Sequence, residues 1–192
     1  MACSLIRLSG CDLRCHYCDT KESWSFKSGK SMSFEHIMQA APQDLILVTG
    51  GEPLAQPQTP QFLKYLCQQA KQVQLETSGA YDISQLDPRV HCVLDLKTPS
   101  SGETNRMLWH NLQHLQANDE VKFVLSDRND YDWSCSMIKQ HGLEEKEATI
   151  LLSPAWQCLD PATLGEWMLV DQVKARLHIQ QHKYIWGDIK GI

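Results

Sequence analysis

The chain has 192 residues, of which 42% are hydrophobic, and its formal net charge is -5. This apolar content suits one hydrophobic core, so we predict a single domain over residues 1–192. Lys and Arg are spread along the chain without a basic block, and no segment resembles an export signal or the ~20 apolar residues that span a bilayer. We therefore expect a cytoplasmic enzyme that binds neither nucleic acid nor membrane.

Short runs rich in β-branched residues and leucine alternate with longer amphipathic stretches. The short runs predict buried strands, and the stretches between them have the length and spacing of helices. The predicted strands are Ser4–Leu8, Leu45–Thr49, Val73–Glu76, Cys92–Leu96, Val121–Leu125 and Thr149–Leu152, and the predicted helices are Ser33–Ala41, Pro60–Lys71, Thr104–Gln116, Tyr131–His141 and Pro161–Lys174. This alternation is typical of an α/β fold built from parallel βαβ units.

Chemically distinctive segments follow each of the first four predicted strands. They are a cysteine-rich loop after the first, Thr49-Gly50-Gly51-Glu52-Pro53 after the second, Glu76-Thr77-Ser78-Gly79 after the third and Lys97 after the fourth. Functional residues of parallel α/β folds gather at the carboxyl ends of the strands. We therefore expect these four segments to lie at one edge of one sheet.

Three of the eight cysteines, Cys11, Cys15 and Cys18, lie within eight residues in the spacing C-x3-C-x2-C. Three thiolates can hold three irons of a cubane cluster and leave the fourth iron open to an external ligand. The alternative is a zinc ion with His16 as fourth ligand, but His16 lies directly between Cys15 and Cys18, where it is badly placed to complete one tetrahedral shell. The other cysteines are predicted to be small buried apolar side chains: Cys3, Cys67, Cys92, Cys135 and Cys158.

The cysteine spacing, with Tyr17 just before Cys18, resembles the signature of the radical S-adenosylmethionine superfamily. The run Gly50-Gly51-Glu52-Pro53 at the end of the second strand is similar to a second motif of that superfamily, in which backbone groups meet the methionine ammonium. The resemblance implies a partial (β/α)6 barrel with a [4Fe–4S] cluster, S-adenosylmethionine and a protein that supplies electrons. The cluster would cleave S-adenosylmethionine to a 5′-deoxyadenosyl radical, so that the cofactor carries most of the difficult chemistry.

Further short matches, in the same order along the chain, resemble the family of 7-carboxy-7-deazaguanine synthases. They are Arg7, Cys18-Asp19-Thr20, Val48 to Pro53, Glu76 to Gly79, Lys97 with Pro99-Ser100-Ser101, Val121-Lys122-Phe123 and His182 to Gly187. The resemblance implies conversion of 6-carboxy-5,6,7,8-tetrahydropterin to 7-carboxy-7-deazaguanine with loss of ammonia, in queuosine biosynthesis. It also implies a homodimer, and chains of this family usually begin with a further strand and a Gln-Gly-Glu loop before the segment that starts here at Met1.

The family resemblance also assigns roles to individual residues. It places the cluster on Cys11, Cys15 and Cys18, and Mg²⁺ on Thr20. The residues implied to contact S-adenosylmethionine are Tyr17, Cys18, Asp19, Gly51, Asp95 and Lys97, and those implied to contact the pterin are Arg7 and Thr49.

Two other functions remain open at this point. A small activating protein for glycyl-radical enzymes would share the short chain and the cysteine loop, but Arg7, Thr20 and Pro99-Ser100-Ser101 favour the pterin substrate. A module that binds an iron–sulfur cluster or zinc only to engage a partner is disfavoured by the Gly-Gly-Glu-Pro run.

Overall fold

The computed structural model describes residues 2–69, 71–187 and 189. Its strands are β1 Cys3–Leu8, β2 Leu45–Gly50, β3 Gln72–Thr77, β4 Val90–Leu96, β5 Glu120–Leu125, β6 Thr149–Pro154 and β7 Arg176–Leu177. Its α-helices are α1 Phe34–Ala40, α2 Thr59–Gln68, α3 Arg128–Gln140, α4 Pro161–Asp171 and α5 Gln181–Trp186. Within these ranges, no helix has the length and apolar content needed to cross a bilayer. The ends of the predicted single domain lie outside the described residues, and that domain assignment stays a prediction.

The seven strands form one parallel sheet in which each strand pairs with its neighbours in sequence. Crossovers between parallel strands are almost always right-handed, so a sequential strand order puts the connecting helices on one face of the sheet. The opposite face, called the inner face below, is lined by side chains of the strands themselves. This one-sided winding agrees with the predicted partial barrel.

Alternating burial along the strands distinguishes the two faces. Residues Ile46, Val48, Leu75, Leu94 and Phe123 are 0% exposed and belong to the core under the helices. The residues between them along the strands point to the inner face, because successive strand side chains alternate. Most of the charged strand residues are on that inner face, as described below.

All six predicted strands and four of the five predicted helices are confirmed, with ends that shift by a few residues. Ser33 and Asp160 cap α1 and α4 by accepting bonds from His36 N and Thr163 N. Helix α3 begins earlier than predicted, because Asp127 accepts a bond from Asp130 N and acts as its N-cap. The part of the predicted helix Pro60–Lys71 that includes Ala70 lies outside the described residues.

The predicted helix Thr104–Gln116 is wrong. The structure has two short 3-10 helices there, at Thr104–Arg106 and Trp109–Gln113. The fully buried Asn111 explains the difference, because its side chain donates to the carbonyls of Gly79 and Tyr81 and accepts from Ile83 N. The segment thus bonds to residues 79–83, where a regular helix would bond to itself.

The scattered cysteines behave in part as predicted. Cys67 and Cys92 are buried and Cys135 is half-buried, but Cys3 and Cys158 are exposed, so the prediction is wrong for those two. Cys3 starts the edge strand β1, and Cys158 lies in the loop before α4. Neither position is covered by a packed element.

Candidate active site

The cysteine loop leaves β1 at the carboxyl edge of the sheet and is held by two other segments. On one side, Gly10 N and Cys11 N donate to the carbonyls of Ser23 and Trp24 at 2.7 and 3.1 Å. From the segment after β4, the Ser101 carbonyl accepts a bond from His16 N at 3.0 Å. The loop is therefore fixed to the fold at both of its ends.

Arg14, between the first two cysteines of the loop, satisfies carbonyls inside it. Its Nη1 donates to the carbonyls of Cys11 and Leu13 at 2.7 and 2.6 Å. Its backbone N donates to Glu103 Oε1 at 2.6 Å, so the same residue ties the loop to the segment after β4. Because backbone groups of a tight loop otherwise need water partners, this arginine stabilises the loop in a defined shape.

The three cysteines of the loop suit a metal cluster by their chemistry. All three are free thiols; Cys11 and Cys15 are buried and Cys18 is half-buried. Burial raises the pKa of the Cys11 thiol, and it raises the pKa of the Cys15 thiol to about 11. Buried thiols are costly to ionise unless a cation replaces the proton, and iron supplies that charge.

The arrangement of donors also bears on the zinc alternative. Sulfur ligands of one zinc ion lie close together, because each Zn–S bond is about 2.3 Å. Among the described residues, no group of three or more His, Cys, Asp and Glu side chains converges in a way that could hold one metal ion. Thiolates of a cubane cluster bind separate irons and therefore lie farther apart than the ligands of a single ion.

The glycines after β2 allow the cysteine loop to pack against the sheet. A Cβ built on Gly51 would lie 2.4 Å from the carbonyl oxygen of Gly10 and 2.7 Å from Cys11 Cβ. A Cβ built on Gly50 would lie 2.2 Å from the carbonyl oxygen of Leu8. Only glycine permits this close backbone approach, which places the Gly-Gly-Glu-Pro run directly beside the first cysteine.

Glu52 of the same run is a buried carboxylate whose role the sequence did not reveal. It is 1% exposed. Its Oε1 accepts bonds from Leu54 N at 2.9 Å and Thr77 Oγ1 at 2.8 Å, and its Oε2 accepts a bond from Ser78 N at 2.7 Å. Glu52 therefore links the carboxyl ends of β2 and β3, and the role of its side chain is structural.

Four charged side chains form an ion network on the inner face. Lys97 Nζ is 3.1 Å from Asp95 Oδ1, and Lys122 Nζ is 2.6 Å from Glu76 Oε2 and 3.5 Å from Asp95 Oδ2. Burial alone would raise the pKa of Asp95, but Lys97 and Lys122 outweigh it and lower that pKa. Burial alone would lower the pKa of each lysine, yet Asp95 raises that of Lys97, and Glu76 with Asp95 raises that of Lys122. These shifts favour the charged forms of Asp95, Lys97 and Lys122 at neutral pH.

This network extends toward the cysteine loop. Lys97 interacts electrostatically with Cys15 and with Tyr17, whose phenol has its pKa raised by burial. The side chain of Tyr17 packs against the core. Tyr17, Asp95 and Lys97, all predicted to contact the cofactor, thus lie in one region.

Arg7 and Thr49 are neighbours on the inner face. They are paired in the register of β1 and β2, and Val48 pairs with Leu75, so that Glu76 comes next to Thr49 on β3. The Arg7 guanidinium is exposed, and its Nη1 donates to the Gly50 carbonyl at 3.4 Å. The predicted pair of substrate residues therefore shares a face with the ion network.

Asp19 and Thr20 meet the C-terminal part of the chain. Asp19 Oδ2 accepts bonds from Lys183 Nζ at 2.6 Å and Gln180 Nε2 at 2.9 Å, and its Oδ1 accepts from Thr20 Oγ1 at 2.9 Å. Burial alone would raise the pKa of Asp19, but bonds from Lys183, Gln180 and Thr20 lower it to about 2. Lys183 is only 5% exposed, so helix α5 is anchored on the residue that follows the third cysteine.

Sequence reasoning did not assign site roles to Glu52, Lys122 or Lys183. Lys122 carried a signal, because a lysine that alternates with Val121 and Phe123 in a buried strand must point away from the helices. Lys183 pairs with a residue 164 positions away. That pairing has no local signal.

The fold and the cysteine loop together define a class of protein. The family model of the radical SAM superfamily matches residues 5–92. Among solved structures, SuiB of Streptococcus suis bound to S-adenosylmethionine has a similar fold, with a TM-score of 0.57 and 15% identity over 91% of this chain and 46% of that one. The chain is thus a radical S-adenosylmethionine protein, a class that uses this cofactor with an iron–sulfur cluster.

Relatives narrow the family further. Proteins named 7-carboxy-7-deazaguanine synthase from Koribacter versatilis and Chlorobaculum tepidum are both 38% identical to the chain, covering 99% of it and 91% and 88% of their own lengths. A protein of the same name from Thermoplasma acidophilum is 30% identical over 97% of the chain and 89% of its own length. The chain belongs to the 7-carboxy-7-deazaguanine synthase family.

The buried carboxylate of Glu52 gives a prediction about stability. We expect Glu52→Gln to lower the free energy of unfolding by ~1–3 kcal/mol, because the new amide NH₂ meets a backbone N–H donor in a buried place. Urea unfolding of the cluster-free protein measures this. The exposed Glu144→Gln loses the same charge and should change stability by less than about 0.5 kcal/mol. Equal effects of the two substitutions would contradict the structural role of Glu52.

Proposed function

We propose that the chain converts 6-carboxy-5,6,7,8-tetrahydropterin to 7-carboxy-7-deazaguanine with loss of ammonia, in queuosine biosynthesis. The observation that carries this proposal is similarity at 38% identity over almost the whole chain to proteins named for that product. The inner face supports it, because a charged network lies beside the cysteine loop where a polar bicyclic substrate would meet the cofactor.

In this proposal, Cys11, Cys15 and Cys18 bind a [4Fe–4S] cluster, and S-adenosylmethionine lies against Tyr17, Cys18, Asp19, Gly51, Asp95 and Lys97. When bound, the cluster and S-adenosylmethionine supply the radical that removes hydrogen from C6 of the substrate. Gly51 brings its backbone close to Cys11, where groups of the cofactor can reach it. Lys97 and Asp95 keep each other ionised, so they offer both a donor and an acceptor of hydrogen bonds.

The pterin is proposed to bind between Arg7 and Thr49. The Arg7 guanidinium can form two parallel hydrogen bonds with the substrate carboxylate or with an edge of the pterin ring, and the Thr49 hydroxyl can donate or accept. Glu76, next to Thr49 on the same face, is held by Lys122 and presents a carboxylate to ring N–H groups. These residues would orient the substrate and exclude competing donors of hydrogen.

Mg²⁺ is proposed to bind at Thr20. The Thr20 hydroxyl donates its proton to Asp19 Oδ1 at 2.9 Å, which leaves oxygen lone pairs directed elsewhere. A hydroxyl oxygen is a suitable ligand for this hard cation, which also tends to keep substrate oxygens or water in its shell. We further propose that the enzyme is a cytoplasmic homodimer that receives electrons from a carrier protein.

The proposed reaction predicts product formation that depends on the three cysteines. Anaerobically reconstituted protein should bind about four irons per chain, because three thiolates and one open iron complete a cubane. Incubated with dithionite, S-adenosylmethionine, Mg²⁺ and 6-carboxy-5,6,7,8-tetrahydropterin, it should form 7-carboxy-7-deazaguanine, detected by mass. The triple alanine variant of Cys11, Cys15 and Cys18 should lose cluster, cofactor cleavage and product.

A control separates this loss from a general effect of removing thiols. Alanine at Cys67 and Cys135 should leave iron content and cofactor cleavage unchanged. A triple variant that kept its cluster would remove the cysteine loop from the site. If S-adenosylmethionine were cleaved but no deazaguanine formed, with or without the pterin, the proposed substrate would be wrong. Activation of a glycyl-radical protein would then be the favoured function.

The substrate contact at Arg7 is tested by Arg7→Lys. Lysine keeps the charge but not the planar fork, so we expect KM for the pterin to rise by about tenfold, which corresponds to ~1.4 kcal/mol. The cluster spectrum and binding of S-adenosylmethionine should not change. An unchanged KM for the pterin would take Arg7 out of the substrate site.

A further inference from the structure

An exposed aromatic ring lies against the start of the cysteine loop. Phe26 is 56% exposed, yet its ring packs directly on Gly10, because a Cβ at Gly10 would be 2.2 Å from Phe26 Cδ1. Gly10 has φ +98°, a conformation that glycine adopts without strain, and it immediately precedes Cys11. The ring is therefore fixed in place beside the first cysteine while most of its other surface faces solvent.

Four basic residues lie along the segment from Arg14 to Lys30, which contains this ring. Arg14, Lys21, Lys27 and Lys30 are all exposed, and within the part of the chain that the structure describes none of them forms a salt bridge. The Arg14 guanidinium and the Lys21 ammonium lie 4.9 and 5.8 Å from the centre of the Trp24 ring. Cation–π contacts of this kind hold both charges near the cysteine loop.

The acidic residues of the same region are mostly engaged elsewhere. Asp12 pairs with Arg106 at 2.5 Å, and Asp19 pairs with Lys183 at 2.6 Å. The third acidic residue between positions 10 and 30 is Glu22. The whole chain carries a formal charge of -5. Because the chain as a whole is acidic, this group of cations would attract an acidic protein against the overall charge.

The same region is in direct contact with the first cysteine. The backbone N of Cys11 donates to the Trp24 carbonyl at 3.1 Å, and Gly10 N donates to Ser23 O at 2.7 Å. A protein docked on Phe26 would be separated from the cysteine loop by little more than Gly10. Interfaces of electron-transfer proteins are small, below about 1,200 Å², so a few residues of this kind can form one.

We propose that Arg14, Lys21, Phe26, Lys27 and Lys30, here called the docking patch, bind a small acidic one-electron carrier protein that reduces the cluster. Phe26 forms the apolar centre of the interface and the four cations form its rim, which orients the carrier and speeds its approach. The inference rests on the proposed function, because only a cluster that must be reduced requires a carrier.

The test compares two double variants of the cluster-loaded protein. Lys27→Glu with Lys30→Glu reverses the rim of the docking patch. Lys139→Glu with Lys146→Glu makes the same charge change on exposed lysines near the amino-terminal edge of the sheet, away from the cysteine loop. The probes are a plant-type [2Fe–2S] ferredoxin and a flavodoxin, two acidic carriers with different folds, whose equilibrium binding is measured at low and high salt together with the rate of cluster reduction.

We expect the Lys27 and Lys30 reversal to slow cluster reduction by at least one carrier, and to weaken binding of that carrier, by about tenfold at low salt. The affinity of the variant for the carrier should also depend less on salt concentration. Reduction by dithionite should be unchanged, which shows that the cluster itself is intact. The Lys139 and Lys146 reversal should change carrier binding by less than about twofold. A second variant, Phe26→Ala, should weaken binding at both low and high salt.

Two outcomes would overturn the docking patch. One is binding of both carriers that is insensitive to the Lys27 and Lys30 reversal, and the other is an equal loss in the Lys139 and Lys146 control. The proposed function is judged separately by formation of deazaguanine product with dithionite, which needs no carrier. Carrier binding that fails while this product forms therefore refutes the patch alone.

Discussion

The sequential order of the parallel strands is the constraint on which the rest of the structure depends. Because each strand pairs with the next one along the chain and crossovers share one hand, the helices cover one face and leave the inner face to strand side chains. The same order brings the carboxyl ends of β1 to β4 together. The cysteine loop, the Gly-Gly-Glu-Pro run and the residues after β3 and β4 meet at one edge for this reason.

Two different uses of buried charge hold that edge in shape. Glu52 accepts hydrogen bonds from Leu54 N, Thr77 Oγ1 and Ser78 N and joins β2 to β3, so its role is structural. Glu76, Asp95, Lys97 and Lys122 form ion pairs with one another on the inner face. Breaking one buried pair leaves the remaining charge unsatisfied and is strongly unfavourable. Such a network is rigid before substrate arrives, which is what orientation of a reactive radical requires.

Much of the fold could be predicted from the sequence because strands and amphipathic helices carry local periodicity. The cysteine spacing likewise lies within eight residues and has few chemical explanations. The segment Thr104–Gln116 could not be predicted, since Asn111 exchanges helical bonds for bonds to residues 79–83. The pairing of Lys183 with Asp19 spans 164 positions and depends on how the chain closes. Hydrophobic periodicity and local motifs cannot predict contacts between residues so far apart in the sequence.

The central claim is that the radical formed at the cysteine loop acts on the pterin on the inner face. The most direct measurement uses 6-carboxy-5,6,7,8-tetrahydropterin labelled with deuterium at C6, incubated anaerobically with the cluster-loaded protein, S-adenosylmethionine, Mg²⁺ and dithionite. Mass spectrometry should find deuterium in 5′-deoxyadenosine together with formation of 7-carboxy-7-deazaguanine. Cleavage of S-adenosylmethionine that leaves 5′-deoxyadenosine without deuterium and yields no deazaguanine would contradict the claim.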